Sequence, residues 1–201
     1  MAGPGQPLPG PARRGQGTAW VRLLRLPLFL TVAGDLAAGA ALGGEVPALR
    51  LAALFPLSAA LHLAGMVLND LVDRREDRRT RPDRPLAAGD LTPRAARLAL
   101  AGLFALGLGG AWAFPFPRPV PICLTALALA VLLYNLGPRR LAWWGPLLLG
   151  LCRGLDVAAA GLLAPAAAGP ALAAGSLLFA LYGALVTWQA AGEEERGLAS
   201  L

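Results

Sequence analysis

Carboxylate, amide and guanidinium side chains are concentrated between Asn69 and Gly89, directly after a strongly apolar stretch. On a helix, Asn69, Asp70, Asp73 and Asp77 would share an arc of roughly 100°, because each residue turns about 100°. Carboxylates this close repel each other unless cations neutralise them, and hard oxygen ligands select Mg²⁺ or Mn²⁺. The spacing therefore predicts a magnesium and phosphate site. The alternative is a solvated helix end with Asp–Arg pairs.

The longer pattern that begins at Asn69 and ends at Gly89 is N-D-x-x-D-x-x-x-D-x-x-x-R-P-x-R-P-L-x-x-G. It resembles the first aspartate-rich motif of the UbiA superfamily of intramembrane prenyltransferases. In that family the Asn and Asp residues bind the magnesium diphosphate of an isoprenoid donor. The resemblance implies that Asp73 and Asp77 are catalytic. It also implies a set of metal and diphosphate ligands, Asn69, Asp70, Asp73 and Asp77, with Arg81 and Arg84 near the phosphates.

The composition places the chain among membrane proteins. Hydrophobic residues make up 56% of it, charged residues only 15%, and the mean hydropathy is +0.57. The net charge of +6 is carried by arginine, and lysine does not occur. These arginines do not lie on a soluble face interleaved with aromatic residues, so nucleic acid is not an expected partner. The expected partner is the lipid bilayer.

Six apolar segments have a length close to that of a membrane span. We therefore predict an all-α, polytopic membrane helix bundle of about six helices, whereas the resembled family normally has nine. The longest break is a charged loop, 73–92. The predicted domains are a disordered Pro/Gly-rich tail at 1–20, a transmembrane domain at 21–191 and a charged tail at 192–201. The predicted spans are 23–43, 48–70, 93–114, 119–136, 141–163 and 169–190.

Polar side chains inside these spans are costly in hydrocarbon and usually face a cavity or pair with each other. Arg153 and Asp156 lie in LGLCRGLDVAAAG, which resembles a fifth-helix segment of the family with Asp in place of Asn. We expect Arg153 to be a catalytic residue that contacts diphosphate or balances Asp35 or Asp156, and Asp35 and Asp156 to be substrate-binding residues. For His62 we expect a packing role. Tyr134 resembles an aromatic residue near the family's donor site, although an interfacial anchor is equally consistent with its position.

Family members carry a second aspartate-rich motif after the sixth helix, and this chain has no second DxxxD there. Glu193, Glu194 and Glu195 occupy a similar position. We expect Glu193 and Glu194 to be further magnesium ligands, in a divergent or shortened member of the family. The alternative is that the cluster only caps a terminal helix.

The resemblance implies Mg²⁺-dependent transfer of a prenyl group from an isoprenoid diphosphate to a hydrophobic, aromatic or lipid-like acceptor within the membrane. Two other classes of function remain open. One is a non-catalytic isoprenoid-binding or transport-associated membrane protein on the same fold. The other, a phosphatidyltransferase of the CDP-alcohol type, is disfavoured because its D-G-x-x-A-R motif is absent.

The distribution of arginine predicts orientation in a bacterial inner membrane. With six spans and a cytoplasmic amino terminus, fifteen of the 18 basic residues lie on the cytoplasmic side, as the positive-inside rule requires. Both termini are then cytoplasmic. Reporter fusions after Glu45 and after Arg118 should be labelled from outside the cell, and a tag inserted at Thr80 should not. A periplasmic tag at Thr80 would contradict this orientation.

Overall fold

The computed structural model describes residues 16–24, 28–138, 141–164 and 169–199. Within these ranges every regular element is helical, which confirms the predicted all-α class. A π-helical turn, Ala105–Gly109, lies between two helices of the bundle. The helices are α1 Gln16–Leu24, α2 Leu28–Gly43, α3 Ala48–Thr80, α4 Pro85–Ala88, α5 Pro93–Phe104, α6 Gly110–Ala113, α7 Pro119–Leu136, α8 Trp144–Gly161 and α9 Pro170–Ala199.

The six predicted apolar segments coincide with α1–α2, α3, α5–α6, α7, α8 and α9. Among the described residues, four helices are long and apolar enough to cross a membrane. The bent pair α1–α2 would make a fifth span. Helix α8 has 18 residues but carries Arg153 and Asp156, which lower its hydropathy. It lies among α2, α7 and α9, where these polar side chains find partners.

Two predicted boundaries differ from the structure at the ends of the described chain. Helix α1 begins at Gln16, inside the segment 1–20 that we predicted to be a tail. Ala19 and Leu23, one turn apart, are buried in the core, and this apolar pair accounts for the early start. Residues 1–15 lie outside the described ranges. At the other end, α9 continues through residue 191 to Ala199 without a break.

Helix α3 extends beyond the predicted span and carries the whole aspartate motif. Its 33 residues correspond to about 50 Å at 1.5 Å per residue, whereas a hydrocarbon core is about 30 Å thick. We predicted a loop from residue 73, but the helix continues to Thr80. Arg78 and Arg79 in its last turn favour this extension through the helix dipole, and the backbone N–H of Arg81 donates to the carbonyl of Asp77 at 2.8 Å.

Glycines allow α8 to approach its neighbours closely. A Cβ atom at Gly39 of α2 would lie 2.1 Å from the carbonyl oxygen of Val157. A Cβ atom at Gly150 of α8 would lie 2.2 Å from the carbonyl oxygen of Ala180 in α9. Both distances are far below a van der Waals contact, so these helix pairs meet backbone to backbone, as is common in membrane bundles.

Replacing Gly150 with alanine should therefore separate α8 from α9 and lower the thermal unfolding temperature. The clash involves backbone atoms of Ala180 and Ala184, which cannot rotate away. Gly34→Ala is a matched control, because Gly34 also lies inside a helix but a Cβ added there would have no atom within 4 Å. We expect Gly34→Ala to unfold at the parent temperature or slightly above it. Equal losses in the two variants would contradict the proposed packing.

Candidate active site

Four polar residues of α3 form a stripe along one face of the helix. Ser58, His62, Asn69 and Asp73 follow one another at intervals of four, seven and four residues. At about 100° per residue they share an arc of roughly 60°, and they extend over about 22 Å of the helix axis. This polar stripe connects the interior of the bundle with the charged end of α3.

A cavity of about 250 Å³ opens beside the polar stripe at the level of Asn69, and we call it the motif cavity. His62 and Asn69 contribute from α3, and Tyr134 and Asn135 from the end of α7. Most of the remaining wall is apolar, which suits the binding of a hydrocarbon chain. The lining residues are His62, Gly65, Met66, Asn69, Val131, Tyr134, Asn135, Leu149 and Cys152.

A second cavity of about 260 Å³ adjoins the first, and we call it the arginine cavity. The two cavities share His62, Leu149 and Cys152 in their walls. The arginine cavity is the more charged of the two, since it contains both an acid and a base. Its lining residues are Thr31, Val32, Asp35, His62, Leu149, Cys152, Arg153, Gly183, Val186 and Thr187.

Arg153 pairs with Asp35 across the interface between α8 and α2. Its NH2 group donates to Oδ1 of Asp35 at 2.6 Å, and its guanidinium lies 5.6 Å from the ring centroid of Tyr182, within range of a cation–π interaction. A Cβ at Gly183 would lie 2.7 Å from Cδ of Arg153, so this glycine makes room for the arginine side chain. Of the two acids that we considered as partners of Arg153, Asp35 is the one that it contacts, and contact with diphosphate stays a prediction.

Asp156 is fully buried and bridges α8 to α3. Its Oδ1 accepts a hydrogen bond from Oγ of Ser58 at 2.5 Å, and its Oδ2 lies 2.6 Å from Nε2 of His62. His62 thus has a satisfied polar partner, as expected of a packing residue, but its ring also lines both cavities.

The loop after α3 folds back onto the aspartate motif. Arg84 donates to Oδ2 of Asp77 at 2.8 Å and to Oδ1 of Asp70 at 3.5 Å, and both acids are buried. Leu86 of α4 and Leu91 after it pack in one apolar cluster of the core. A guanidinium of the same chain therefore lies against both Asp70 and Asp77.

The remaining predicted ligands occupy different surroundings. Asp73 is half-buried on the polar stripe, one turn beyond Asn69, and Arg81 is exposed at the end of α3. The backbone of Glu193 and Glu194 is part of α9, but the structure does not describe their side chains. In the part of the chain that the structure describes, no three His, Cys, Asp or Glu side chains form a group able to hold a metal ion.

The sequence analysis did not predict two polar residues of the site, Ser58 beside Asp156 and Asn135 in the wall of the motif cavity. Ser58 lies one turn before His62 on the polar stripe, so extending the helical periodicity backwards from Asn69 would have identified it. Asn135 is buried, and its amide nitrogen donates to the carbonyl of Val131 at 2.8 Å. It follows Tyr134 directly in the chain, and its spacing carries no signal of its own.

Comparison with known proteins identifies the family of this fold. The sequence model of the UbiA prenyltransferase family matches residues 28–193, most of the chain. The chain belongs to the UbiA prenyltransferase family. This result confirms the resemblance seen in the aspartate motif. The matched region contains the polar stripe and both cavities.

The chain is similar to one named synthase and to solved structures of the same fold. A digeranylgeranylglyceryl phosphate synthase from Methanopyrus kandleri is 43% identical over 79 residues, which are 39% of this chain and 27% of the relative. A solved structure concerned with digeranylgeranylglyceryl phosphate synthase superposes with a TM-score of 0.72 at 21% identity, covering 86% of this chain and 60% of that one. A UbiA homologue from Archaeoglobus fulgidus bound to DMAPP and Mg²⁺ gives a TM-score of 0.69 at 24% identity, covering 82% and 61%. The chain thus spans about three fifths of the solved UbiA structures that it matches.

The pairing of Arg84 with Asp77 should appear as a coupling energy in a double-mutant cycle. Arg84 and Asp77 have side chains only 17% and 7% exposed, so Asp77→Asn should cost about 1–3 kcal/mol of stability by leaving the guanidinium poorly paired. In an Arg84→Gln background the same change should cost at least about 1 kcal/mol less. Unfolding in detergent without magnesium gives these values.

The control for this cycle is the pair Arg22 and Asp83, with side chains 28% and 76% exposed at 3.2 Å. Because solvent screens this pair, Asp83→Asn should change stability by less than about 0.5 kcal/mol. Additive losses at Asp77 and Arg84 would show that the loop is not held by their interaction.

Proposed function

We propose that this UbiA family protein transfers a prenyl group from an isoprenoid diphosphate to a lipid-like acceptor within the membrane, with Mg²⁺ as cofactor. The observation that carries the proposal is the position of Asn69. It lies on the wall of an apolar cavity, with Asp73 one turn further along the same face of α3. Oxygen atoms suited to binding Mg²⁺ and a hydrocarbon-sized space thus adjoin each other.

The four motif residues divide into two pairs. Asp70 and Asp77 are buried beside Arg84, whereas Asn69 and Asp73 lie on the polar stripe. Mg²⁺ keeps several waters and is usually bound by one or two carboxylates together with substrate phosphates, so a cage of three protein carboxylates is not required. Asn69 and Asp73 fit this donor set, and Asp70 and Asp77 hold the adjoining loop and its arginines near the phosphates. Glu193 and Glu194 stay predicted contributors to the same site.

Each part of the site has a distinct part in the reaction. Magnesium, when bound, would stabilise the negative charge of the diphosphate leaving group as a Lewis acid. Met66, Val131 and Leu149 surround the prenyl chain and keep water away from the electrophilic carbon. Tyr134 and Asn135 contribute polar groups to the wall of the cavity. The chain's own residues therefore orient the donor and protect it from hydrolysis.

The arginine cavity is the proposed acceptor site. Arg153 and Asp35 provide a fixed pair of opposite charges, and Nε of Arg153 is buried without a hydrogen-bond partner among the described residues. The accessible part of the Arg153 side chain, which is 26% exposed, could bind an acceptor with an anionic or polar head group. The Methanopyrus relative is named for a geranylgeranyl-substituted glyceryl phosphate, which favours a lipid-like acceptor over an aromatic one.

Binding of the isoprenoid without turnover is the alternative function. It is favoured by the closure of Asp70 and Asp77 onto Arg84, which leaves fewer carboxylates open to a metal than the motif contains. Product formation with labelled donor distinguishes the two functions. For either function we propose a bacterial inner membrane and cytoplasmic termini, supported by the arginine distribution.

Asp73→Asn should abolish magnesium-dependent binding of a prenyl diphosphate analogue while leaving the protein folded. Asp73 is half-buried at the charged end of α3, and the amide keeps the size of the side chain while it removes the negative charge that a metal ion needs. We expect a loss of at least about tenfold in affinity, or ~1.4 kcal/mol, measured by calorimetry with and without magnesium.

Glu45→Gln makes the same change of charge in the exposed turn between α2 and α3, and it should bind the analogue like the parent. Parent-like, magnesium-dependent binding by Asp73→Asn would exclude Asp73 as a ligand. Failure of the parent to bind any prenyl diphosphate would exclude the proposed function itself.

A further inference from the structure

His62 occupies the junction between the two cavities. It is the only histidine in the chain, its side chain is 22% exposed, and it lines both the motif cavity and the arginine cavity. With the donor in the first cavity and the acceptor in the second, the imidazole lies where the two substrates meet.

The contact with Asp156 bears on which ring nitrogen of His62 carries a proton. The hydroxyl of Ser58 lies 2.5 Å from Oδ1 of Asp156 and donates to it. Nε2 of His62 lies 2.6 Å from Oδ2, and a carboxylate at Asp156 accepts a hydrogen bond from that nitrogen. In a neutral imidazole with the proton on Nε2, Nδ1 has a free lone pair and can accept a proton.

A buried ion pair needed only for packing would not require a cavity on either side of the ring. The titratable and charged groups that surround His62 are Asp156, Arg153 and Cys152 on α8, Asp35 on α2 and Tyr134 on α7. Arg153 is already paired with Asp35. Asp156 is thus the charged partner in direct contact with the imidazole.

We propose that His62 is the proton acceptor of the transfer reaction and that the acceptor substrate reacts through a hydroxyl group. The hydroxyl oxygen forms a bond to C1 of the prenyl group, and the bond from C1 to the diphosphate oxygen breaks with its electron pair on the diphosphate. The hydroxyl proton moves to Nδ1 of His62, and the imidazolium releases it to water once the diphosphate and the product have left the cavity. Asp156 is a positioning residue that orients the ring and stabilises the imidazolium. This inference rests on the proposed function.

Nitrogen NMR of the single histidine tests the geometry without any variant. The protein, labelled with ¹⁵N-histidine, purified through a tag without histidine and placed in lipid nanodiscs, gives one imidazole spin system. We expect protonated Nε2 and unprotonated Nδ1 at the pH where the protein is active. A proton on Nδ1 with Nε2 bare, or a doubly protonated ring throughout the active pH range, would overturn the proposal.

Turnover measurements test the chemistry. His62→Gln should bind a prenyl thiolodiphosphate analogue with magnesium like the parent but turn over the hydroxyl acceptor about 100-fold more slowly, as expected for loss of a general base. His62→Ala should regain activity on addition of imidazole. Asp156→Asn should lower kcat by about tenfold and alter its pH profile, because it changes the environment of the ring.

Thr125→Val is the control, since Thr125 lies on α7 and bonds to Trp112 and to the carbonyl of Pro121. The Thr125→Val variant should transfer the prenyl group at the same rate as the parent protein. Full activity of His62→Gln in a chain whose parent transfers prenyl groups would refute the role of His62 alone. Absence of transfer by the parent would refute the proposed function, and with it this role.

Discussion

Two carboxylates in the interior of the bundle, Asp35 and Asp156, constrain how the helices pack. A charge in hydrocarbon is costly unless it is paired, and each of these acids finds its partner on another helix. Arg153 of α8 neutralises Asp35 of α2, and His62 and Ser58 of α3 bind Asp156 of α8. Helix α8 must therefore contact both neighbours, and Asp35, His62 and Arg153 from these pairs line the cavities.

The loop after α3 satisfies a second electrostatic requirement at the charged end of the bundle. Arg84 binds Asp70 and Asp77 on one side of the motif, and the stripe with Asn69 and Asp73 follows a neighbouring side. One short sequence thus provides both a structural clamp and a set of candidate ligands. Because the clamp is internal to the chain, the protein's own charges hold the loop against α3. Gly89, with a φ of 82°, completes the turn that reverses the chain.

Much of the fold and part of the site could be predicted. The apolar segments predicted the number and order of the long helices, because hydrocarbon length and hydropathy act locally, but α3 and α9 continue well beyond their predicted spans. The aspartate motif identified the family because it lies in one continuous stretch of sequence. The pairing of Arg153 was left open among three partners, and the cavity position of His62 was not foreseen. Both depend on which helices become neighbours, and no local pattern encodes that choice. Helix α3 also continues past residue 73. Pairing with Arg84 offsets the repulsion between the carboxylates of Asp70 and Asp77, so both can lie on one helix.

The sequence by itself determined that this is a helical membrane protein with an oxygen-rich motif at the end of an apolar helix. Hydropathy and residue spacing suffice for that, because both act within one helix. Only the tertiary structure decided that Asp70 and Asp77 face a guanidinium while Asn69 borders a cavity. It also placed the single histidine between two cavities with its Nε2 against a buried carboxylate. These relations join residues up to 118 positions apart, and they exist only once glycine-mediated packing brings the helices together.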